Sequence, residues 1–259
     1  MACPKFASEV VPVSLPGLRV VRMTTAELRV GMKEHFTVAR LENGHSEWWA
    51  QGRTWSGEPG SIQLKQPGDV HRDVAHDGPV TFQVVLLPAS DFERVRDEGT
   101  VLAHPHLGPR DDRAGVFHRL HDAVTAGADR LALEIAATEA VTAFTLLKSH
   151  ASHHSRPVRR ALEYLHEHLA DAITLDDIAL AAGMDKFHLC RAFRTQVGMP
   201  PHAYLTHLRV ARARQLLEAG TRASEVARLV GLYDQSQLNR HFRRIVGTTP
   251  VRHASARPW

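Results

Sequence analysis

The chain has 259 residues, of which 43% are apolar and 23% charged, a composition typical of a globular protein with one large or two ordinary domains. No apolar run approaches the roughly 20 residues of a transmembrane helix, and residues 1–20 lack the charged-then-apolar order of a signal peptide. Cys3 and Cys190 are far apart and form no Cys-x-x-Cys pair, which excludes a disulfide framework and a thiolate metal site and favours the cytoplasm.

The net charge of +4 is unevenly distributed along the chain. Residues 157–259 hold 15 Lys and Arg against 9 Asp and Glu, whereas residues 1–156 hold 17 against 19. A local surplus of basic side chains is what binding to phosphate groups requires. The C-terminal part is therefore the candidate for nucleic-acid binding.

Residues 1–100 predict a β-rich domain. Short apolar or aromatic runs, separated by turn sequences such as Pro59-Gly60, span residues 20–23, 35–41, 46–50, 53–56, 61–64, 70–74 and 81–87. Closely spaced strands of this kind favour an antiparallel sandwich or small barrel. The stretch Pro67-Gly68-Asp69-Val70-His71 resembles the second signature of the cupin jelly roll, in which an inward-pointing histidine follows a turn. We therefore expect a cupin-like β-barrel or jelly roll that binds an effector.

A cupin metal site would need several histidines and a carboxylate that converge on one ion. The earlier strand offers only Lys33, Glu34 and His35, so we expect no metal and no other cofactor. Small-molecule sites have apolar walls with a few polar groups. We predict an effector pocket lined by His35, Trp48, Trp49, Trp55, His71 and Gln83. The alternative is that the tryptophans are ordinary core residues and His71 a core histidine with satisfied hydrogen bonds.

Helices are expected in the segment 101–149, near residues 112–125 and 129–148. The second helix has two adjoining stripes, Leu131, Ile135, Thr138 and Thr142 on one and Leu133, Ala137, Val141, Phe144 and Leu147 on the other. So wide an apolar surface must pack on the β domain or on a second copy of itself, and the two are compatible. We favour a dimerisation segment and hence a homodimer. The short polar run 150–157 predicts an interdomain linker.

Residues 158–256 predict an all-α domain in which one helical unit is repeated. The repeat is visible in pairs 48 or 49 residues apart: Ile178 with Val226, Gly183 with Gly231, Leu189 with Leu238, Phe193 with Phe242, and Gly198 with Gly247. In each copy a glycine ends the first helix, and Asp185 or Asp234 caps the second. Helix-turn-helix units are therefore expected at 175–197 and 223–246. The helix at 201–219 joins them as a strut of about 25 Å, against a DNA turn of ~34 Å.

The same residues carry a family resemblance. The ordered motifs Gly183-Met184-Asp185-Lys186-Phe187 and Gly231-Leu232-Tyr233-Asp234-Gln235, each followed by a basic helix, a glycine and a proline, resemble the DNA-binding domain of the AraC/XylS transcription regulators. The resemblance covers about 100 residues. The N-terminal part, with its Pro-Gly-x-x-His turn and following helices, is similar to that family's sensor half.

The resemblance implies which side chains contact DNA. Base-edge contacts would fall on Phe187, His188, Cys190, Arg191, Gln235, Ser236, Gln237, Asn239 and Arg240. By their own chemistry, the basic side chains Lys186, Arg194, Arg243 and Arg244 suit phosphate contacts better. The chemistry suits these roles, because Arg bridges guanine N7 and O6, Gln and Asn bridge adenine, and Phe meets a thymine methyl group.

The resemblance also implies a bacterial, effector-responsive transcription regulator, an activator working with RNA polymerase, that binds double-stranded DNA through two successive major grooves. One alternative is a cupin-like metal-dependent enzyme with a DNA-binding tail. The incomplete ligand set, and the lack of a nucleophile and base at recognisable spacing, argue against an enzyme. The other alternative is a ligand-independent regulator whose barrel is a dimerisation scaffold.

Overall fold

The computed structural model describes residues 6–93, 101–149 and 154–255, and its internal contacts divide the chain into two compact units, Met1–His153 and His154–Trp259. The first unit combines strands with helices and the second is helical, which confirms the predicted α+β multidomain class. The boundary between the units falls inside the range 150–157 predicted as a linker. Residues 150–153 of that range lie outside the described residues.

Strands dominate residues 6–93 of the first unit. They are β1 (Phe6–Val11), β2 (Arg19–Thr25), β3 (Val30–Met32), β4 (Phe36–Asn43), β5 (Ser46–Ala50), β6 (Arg53–Gly57), β7 (Ile62–Lys65), β8 (Val70–His76) and β9 (Val80–Leu87). The seven predicted runs correspond to β2 and to β4 through β9. Sequence patterns missed β1 and β3 because β1 is almost wholly exposed and β3 has three residues. Three further strands are short: β10 (Val101–Leu102), β11 (His106–Leu107) and β12 (Lys148–Ser149).

The long strands form two antiparallel sheets. The larger sheet has the order β1-β2-β9-β4-β7-β11 and the smaller one the order β3-β8-β5-β6, while β10 pairs with β12. Trp48 on β5 contacts His106 on β11, with ring centroids 5.2 Å apart, so the sheets face each other. The β-rich fold expected of a cupin-like domain is thus present as two facing sheets.

The larger sheet has two buried faces. Alternate residues such as Val38, Ile62, Leu64 and Val85 join the main core, whose other half comes from helices. Because side chains alternate along a strand, Gln63 and Lys65 of β7 must point the other way, toward the smaller sheet. That second face lines the space between the sheets, where the predicted effector pocket would lie.

Helices cover the first face of the larger sheet. They are α1 (Ala89–Glu93), α2 (Gly115–Thr125) and α3 (Arg130–Leu146), of which α3 is capped by Asp129. The stripe of α3 that contains Leu133, Val141 and Phe144 is buried in the core. The stripe that begins at Leu131 and Ile135 stays 65% and 53% exposed at those residues. The two stripes of α3 therefore have different environments.

The second unit consists of seven helices within the described residues 154–255. They are α4 (Arg156–Glu167), α5 (Leu175–Ala182), α6 (Lys186–Val197), α7 (Pro201–Glu218), α8 (Ala223–Leu229), α9 (Gln235–Val246) and α10 (Pro250–Ser255). Helix α4 starts at Arg156, so the last two residues of the range predicted as a linker are helical. It does so because Pro157 favours the first turn of a helix, where no backbone donor is lost.

The predicted caps form as expected from local chemistry. Asp185 accepts hydrogen bonds from the backbone N–H groups of Phe187 and His188, at 2.9 and 3.1 Å, and Asp234 accepts one from Gln237 N at 2.7 Å. Gly183 and Gly231 follow the first helices with φ of 66° and 71°, a conformation that costs other residues energy. The caps therefore fix both tight turns.

A close backbone approach ties the second helix-turn-helix unit to the end of the α4 segment. A Cβ atom placed on Gly231 would lie 2.4 Å from Ala170 O, which no real contact allows. Nearby, the guanidinium of Arg209 on α7 donates to Leu169 O and Asp171 O, each at 2.7 Å. The loop after α4 is thus held from two sides.

None of the described helices combines the length and apolar character that a bilayer span requires.

Candidate nucleic-acid interface and effector pocket

Helix α6 separates a packing face from an exposed face. Leu189, Phe193 and Val197 are buried, and Phe193 meets Tyr204 of α7 edge-on with centroids 5.7 Å apart. At 100° per residue, Phe187, Arg191 and Arg194 fall together on the opposite side, and all three are exposed. Phe187 is 74% exposed, which is unusual for a large apolar side chain.

Helix α9 repeats the arrangement. Leu238 and Phe242 are buried, while Ser236, Arg240 and Arg243 form an exposed stripe. The residues of the two stripes correspond at a spacing of 49 residues in the sequence. This spacing pairs Phe187 with Ser236, Arg191 with Arg240, and Arg194 with Arg243. Each second helix therefore presents two arginines at matched positions on a surface that it does not use for packing.

Several predicted contact residues are engaged locally in the free protein. His188 Nδ1 is hydrogen-bonded to the Asp185 carboxylate, and this bond is the main cause of the lowered pKa of Asp185. Gln237 Oε1 accepts from Tyr233 N at 2.8 Å, and Lys186 Nζ lies 3.1 Å from Asp176 Oδ1. Of the remaining predicted residues, Cys190 and Asn239 are half-buried, whereas Gln235 and Arg244 are exposed. Arg191 and Arg240 are therefore better placed for base contact than His188 or Cys190.

In the N-terminal unit, three predicted pocket residues come together between the sheets. Trp48, which is 1% exposed, lies opposite Trp55 in the β5–β6 register, and its ring is 6.5 Å from that of His71. His106 completes the group, with its ring 5.2 Å from Trp48 and 5.9 Å from Trp55. These four rings form one aromatic wall.

Two of the other predicted pocket residues, Gln83 and Trp49, lie outside this wall, so the six predicted residues do not line one pocket. Gln83 faces the helices, where its Oε1 lies 2.6 Å from His121 Nδ1 and its Nε2 donates to Thr125 Oγ1. Trp49 lies on the outer face of the smaller sheet, because it alternates with Trp48, and Arg72 lies over its ring at 5.6 Å. His35 Nε2 is 2.8 Å from the Arg19 guanidinium.

Polar groups outside the six predicted residues complete this inner face. Gln63 is opposite His106 in the β7–β11 register and is 1% exposed. Lys65 follows on the same side of β7, and Lys33 lies close enough to Lys65 to lower its pKa by repulsion, after the larger effect of burial. Across the described residues, no three His, Cys, Asp or Glu side chains are arranged to hold one metal ion.

Two family descriptions match this chain in the order of its two units. Residues 29–141 match the AraC-like ligand binding domain, and residues 178–254 match a helix-turn-helix domain. The chain belongs to the AraC-like transcriptional regulators. It is accordingly a DNA-binding transcription regulator with a ligand-binding domain.

Individual relatives align with different fractions of this AraC-like regulator. The uncharacterised HTH-type transcriptional regulator YbfI of Bacillus subtilis (strain 168) is 27% identical over 218 residues, 79% of each chain. The lactose operon transcription activator of Staphylococcus xylosus is 29% identical over 86 residues, which is 33% of this chain and only 31% of the activator. The crystal structure of ToxT from Vibrio cholerae O395 has the same fold at 10% identity, with a TM-score of 0.52 and 97% of both chains covered.

The helical domain of this AraC-like regulator has a further exposed residue beside the predicted contact residues. Tyr233, just before the cap of α9, is 94% exposed and lines a shallow groove with Ser236, Gln237 and Arg240. An aromatic residue in an otherwise polar turn was the available sequence signal. Its position beside Arg240 makes it a further candidate for contact with DNA.

Proposed function

We propose that each chain of this regulator places α6 and α9 in two successive major grooves of double-stranded DNA. The observation that supports this most is the matched, exposed placement of Arg191 with Arg240 and of Arg194 with Arg243. The joining helix α7 has 18 residues, which makes it about 27 Å long at ~1.5 Å per residue. Such a rod suits two recognition helices separated by about one DNA turn, ~34 Å.

In this proposal the two helices contribute unequally to sequence recognition. Helix α9 offers Gln235, Asn239 and Arg240, whose side chains form paired hydrogen bonds with base edges. Helix α6 offers chiefly Arg191, since Phe187 makes apolar contacts and His188 is held by Asp185. Lys186, Arg194, Arg243 and Arg244 contact phosphates, which positions the domain without selecting a sequence.

We further propose that the regulator is a homodimer that pairs through α3. Leu131, Ile135 and Leu146 are 65%, 53% and 80% exposed and lie on one stripe along the helix. They border a groove between α2 and α3 that also includes Val116 and is flanked by the ion pair of Arg119 with Glu139 at 2.9 Å. A second copy presents the same stripe, so a two-fold axis through α3 covers both.

The N-terminal domain is proposed to bind a small-molecule effector between its sheets and to pass that event to DNA binding in the bacterial cytoplasm. For this, the effector must bind one arrangement of the dimer more tightly than another. We propose activation of transcription through contact with RNA polymerase, supported by the relative named as a lactose operon activator.

The two-groove proposal can be tested with the full-length protein. Duplexes selected from a random pool are methylated at guanine N7, and the positions at which methylation blocks binding are mapped. We expect two clusters of such positions about 10 base pairs apart on one face of the DNA. Replacing Arg191 and Arg194 by alanine should remove one cluster, and replacing Arg240 and Arg243 should remove the other. A single cluster that both double variants weaken equally would contradict the proposal.

A further inference from the structure

The space between the sheets contains two lysines that have no direct anionic partner. Lys33 directly follows β3. Its backbone N–H donates a hydrogen bond to Asp69 O at 2.8 Å, and its backbone oxygen accepts one from Gly68 N at 2.9 Å. Lys65 ends β7 opposite Thr37. Asp69 and Asp73 act on both ammonium groups through space, yet no described residue gives either one a hydrogen bond or an ion pair within 4 Å.

The position of these lysines is costly for the free protein. Burial lowers the pKa of both ammonium groups, because it removes the water that stabilises their charge. The pKa of Lys65 falls well below its ordinary value, since Lys33 also repels the Lys65 charge. Both side chains nevertheless keep some accessible surface. Charged groups that lie this deep and still reach solvent line a recess, and an anion that entered it would relieve the repulsion between them.

The neighbours of the lysines supply unused hydrogen-bonding atoms. Gln63, two residues before Lys65 on the same side of β7, is 1% exposed and its Nε2 has no partner among the described residues. His71 uses Nε2 for Asp73 Oδ1 at 2.7 Å, while its buried Nδ1 is unpartnered. His106 Nε2 is likewise buried without a partner in the described part of the chain. Buried polar atoms of folded proteins are normally satisfied, so such a cluster indicates a ligand.

We propose that this recess binds a small organic anion, a carboxylate attached to an apolar or aromatic body. Lys33 and Lys65 hold the carboxylate, Gln63 Nε2 donates a hydrogen bond to it, and the body packs on the wall formed by Trp48 and Trp55. A neutral ligand would leave both ammonium groups unpaired, and a cationic one would be repelled. The inference rests on the proposed role of this domain in binding an effector, and it names the chemical class of that effector.

The test compares acids with their own amides on the full-length protein. Phenylacetate and hexanoate are titrated beside phenylacetamide and hexanamide, and binding is followed by calorimetry and by the rise in Tm. Each acid should bind at least about tenfold more tightly than its amide. Lys33→Gln and Lys65→Gln should each lose about tenfold or more in acid affinity, as expected for a lost charged hydrogen bond. Lys148→Gln, which changes a lysine of the same domain outside the recess, should bind the acids like the wild type.

Three results would each overturn the assignment: amides that match their acids, Lys33 and Lys65 variants that bind acids normally, or no acid-dependent shift up to millimolar concentration. Lys65→Met is measured as well, and circular dichroism verifies that each variant is folded. DNA binding to selected duplexes is recorded in parallel without ligand. If DNA binding persists while the acids fail, the anion class is wrong and the proposed function stands. If DNA binding itself is absent, the proposed function fails.

Discussion

Arg240 and Arg243 are three residues apart on the exposed side of α9, and they separate two ways of binding DNA. A guanidinium that bridges guanine N7 and O6 needs its planar pair of donors, whereas a phosphate contact needs mainly charge. Substitution by lysine keeps the charge and removes the planar pair. The two roles can therefore be distinguished at single residues.

Arg240→Ala should lose about 1–3 kcal/mol of binding free energy and relax base preference at one position. Arg240→Lys should recover the salt dependence of the wild type without recovering that base preference. Arg243→Ala should weaken binding to all sequences and reduce the salt slope by about 1. Affinities for duplexes with single base changes, measured at several salt concentrations, give all three quantities. If Arg240→Lys discriminates bases as the wild type does, Arg240 is not a base contact.

Gly231 and Gly183 form a matched pair at equivalent positions of the two repeats. Both have positive φ, so alanine costs about 1–2 kcal/mol of backbone strain at either one. Only at Gly231 would the new Cβ also meet backbone, at 2.4 Å from Ala170 O; at Gly183 the nearest atom is the flexible end of Arg160 at 3.8 Å.

Gly231→Ala should therefore destabilise the helical domain by clearly more than Gly183→Ala. Urea unfolding, followed by circular dichroism at 222 nm, measures the difference between the two free energies of unfolding. The excess for Gly231→Ala reports the cost of moving the loop after α4 away from the second helix-turn-helix unit. Equal losses in the two variants would mean that this loop moves freely.

Among the elements, α3 carries the proposed dimer contact on a stripe that its own domain leaves exposed. Leu131→Glu combined with Ile135→Glu should convert the dimer to a monomer, because each glutamate would be buried against its symmetry mate without a partner. The control Leu28→Glu changes a side chain that is 56% exposed and lies outside α3. Sedimentation velocity over a range of concentrations measures the association. A double glutamate variant that stays dimeric would exclude this face.

The helices of the two helix-turn-helix units and the helix that joins them were predictable because their signals are local, whereas α10 was not predicted. Asp185 and Asp234 cap the second helix of each unit, Gly183 and Gly231 end the first helix, and buried residues recur at i and i+4. All of this information lies within one helix and its turn. The same holds for the choice of buried and exposed stripes on α6, where the apolar residues themselves mark the packing face.

The pocket was less predictable because it depends on which face of each strand is turned inward. Gln63 and Gln83 are both glutamines within apolar strands, yet Gln63 faces the smaller sheet and Gln83 bonds to helix α2. That difference is set by register with distant strands, and a shift of one residue exchanges the faces. Lys33 and Lys65 meet only through the pairing of β3 with β8 and the packing of the two sheets.

At the scale of the whole molecule, both units contain histidines that folding keeps uncharged. Burial is the main cause in each case: it lowers the pKa of His71 to about 3, that of His207 to about 4, and that of His121 well below the ordinary 6.5. One group acts in the opposite sense, since burial raises the pKa of Asp69 to about 7 from 3.8. The response to acid depends on the balance of these groups.

Between pH 6.5 and 4.5 the three histidines become protonated in the unfolded chain and stay mostly neutral in the folded chain, so acidification favours unfolding. Asp69 has the opposite effect, because in this pH range it binds one proton in the folded state and is ionised in the unfolded one. Each excess proton is worth about 1.4 kcal/mol per pH unit. The free energy of unfolding should therefore fall from pH 6.5 to pH 4.5, and Asp69→Asn should make the fall steeper in the N-terminal unit.

The two units can be followed separately in that experiment, since three of the four tryptophans lie between residues 48 and 55. Tryptophan fluorescence then reports mainly the N-terminal unit and ellipticity at 222 nm mainly the helical one. His207→Gln should flatten the pH dependence of the ellipticity transition and leave the fluorescence transition unchanged, because the histidine of α7 is removed while His71 and His121 remain. A free energy of unfolding that stays level or rises on acidification would mean that the buried histidines gain protons without loss of the fold.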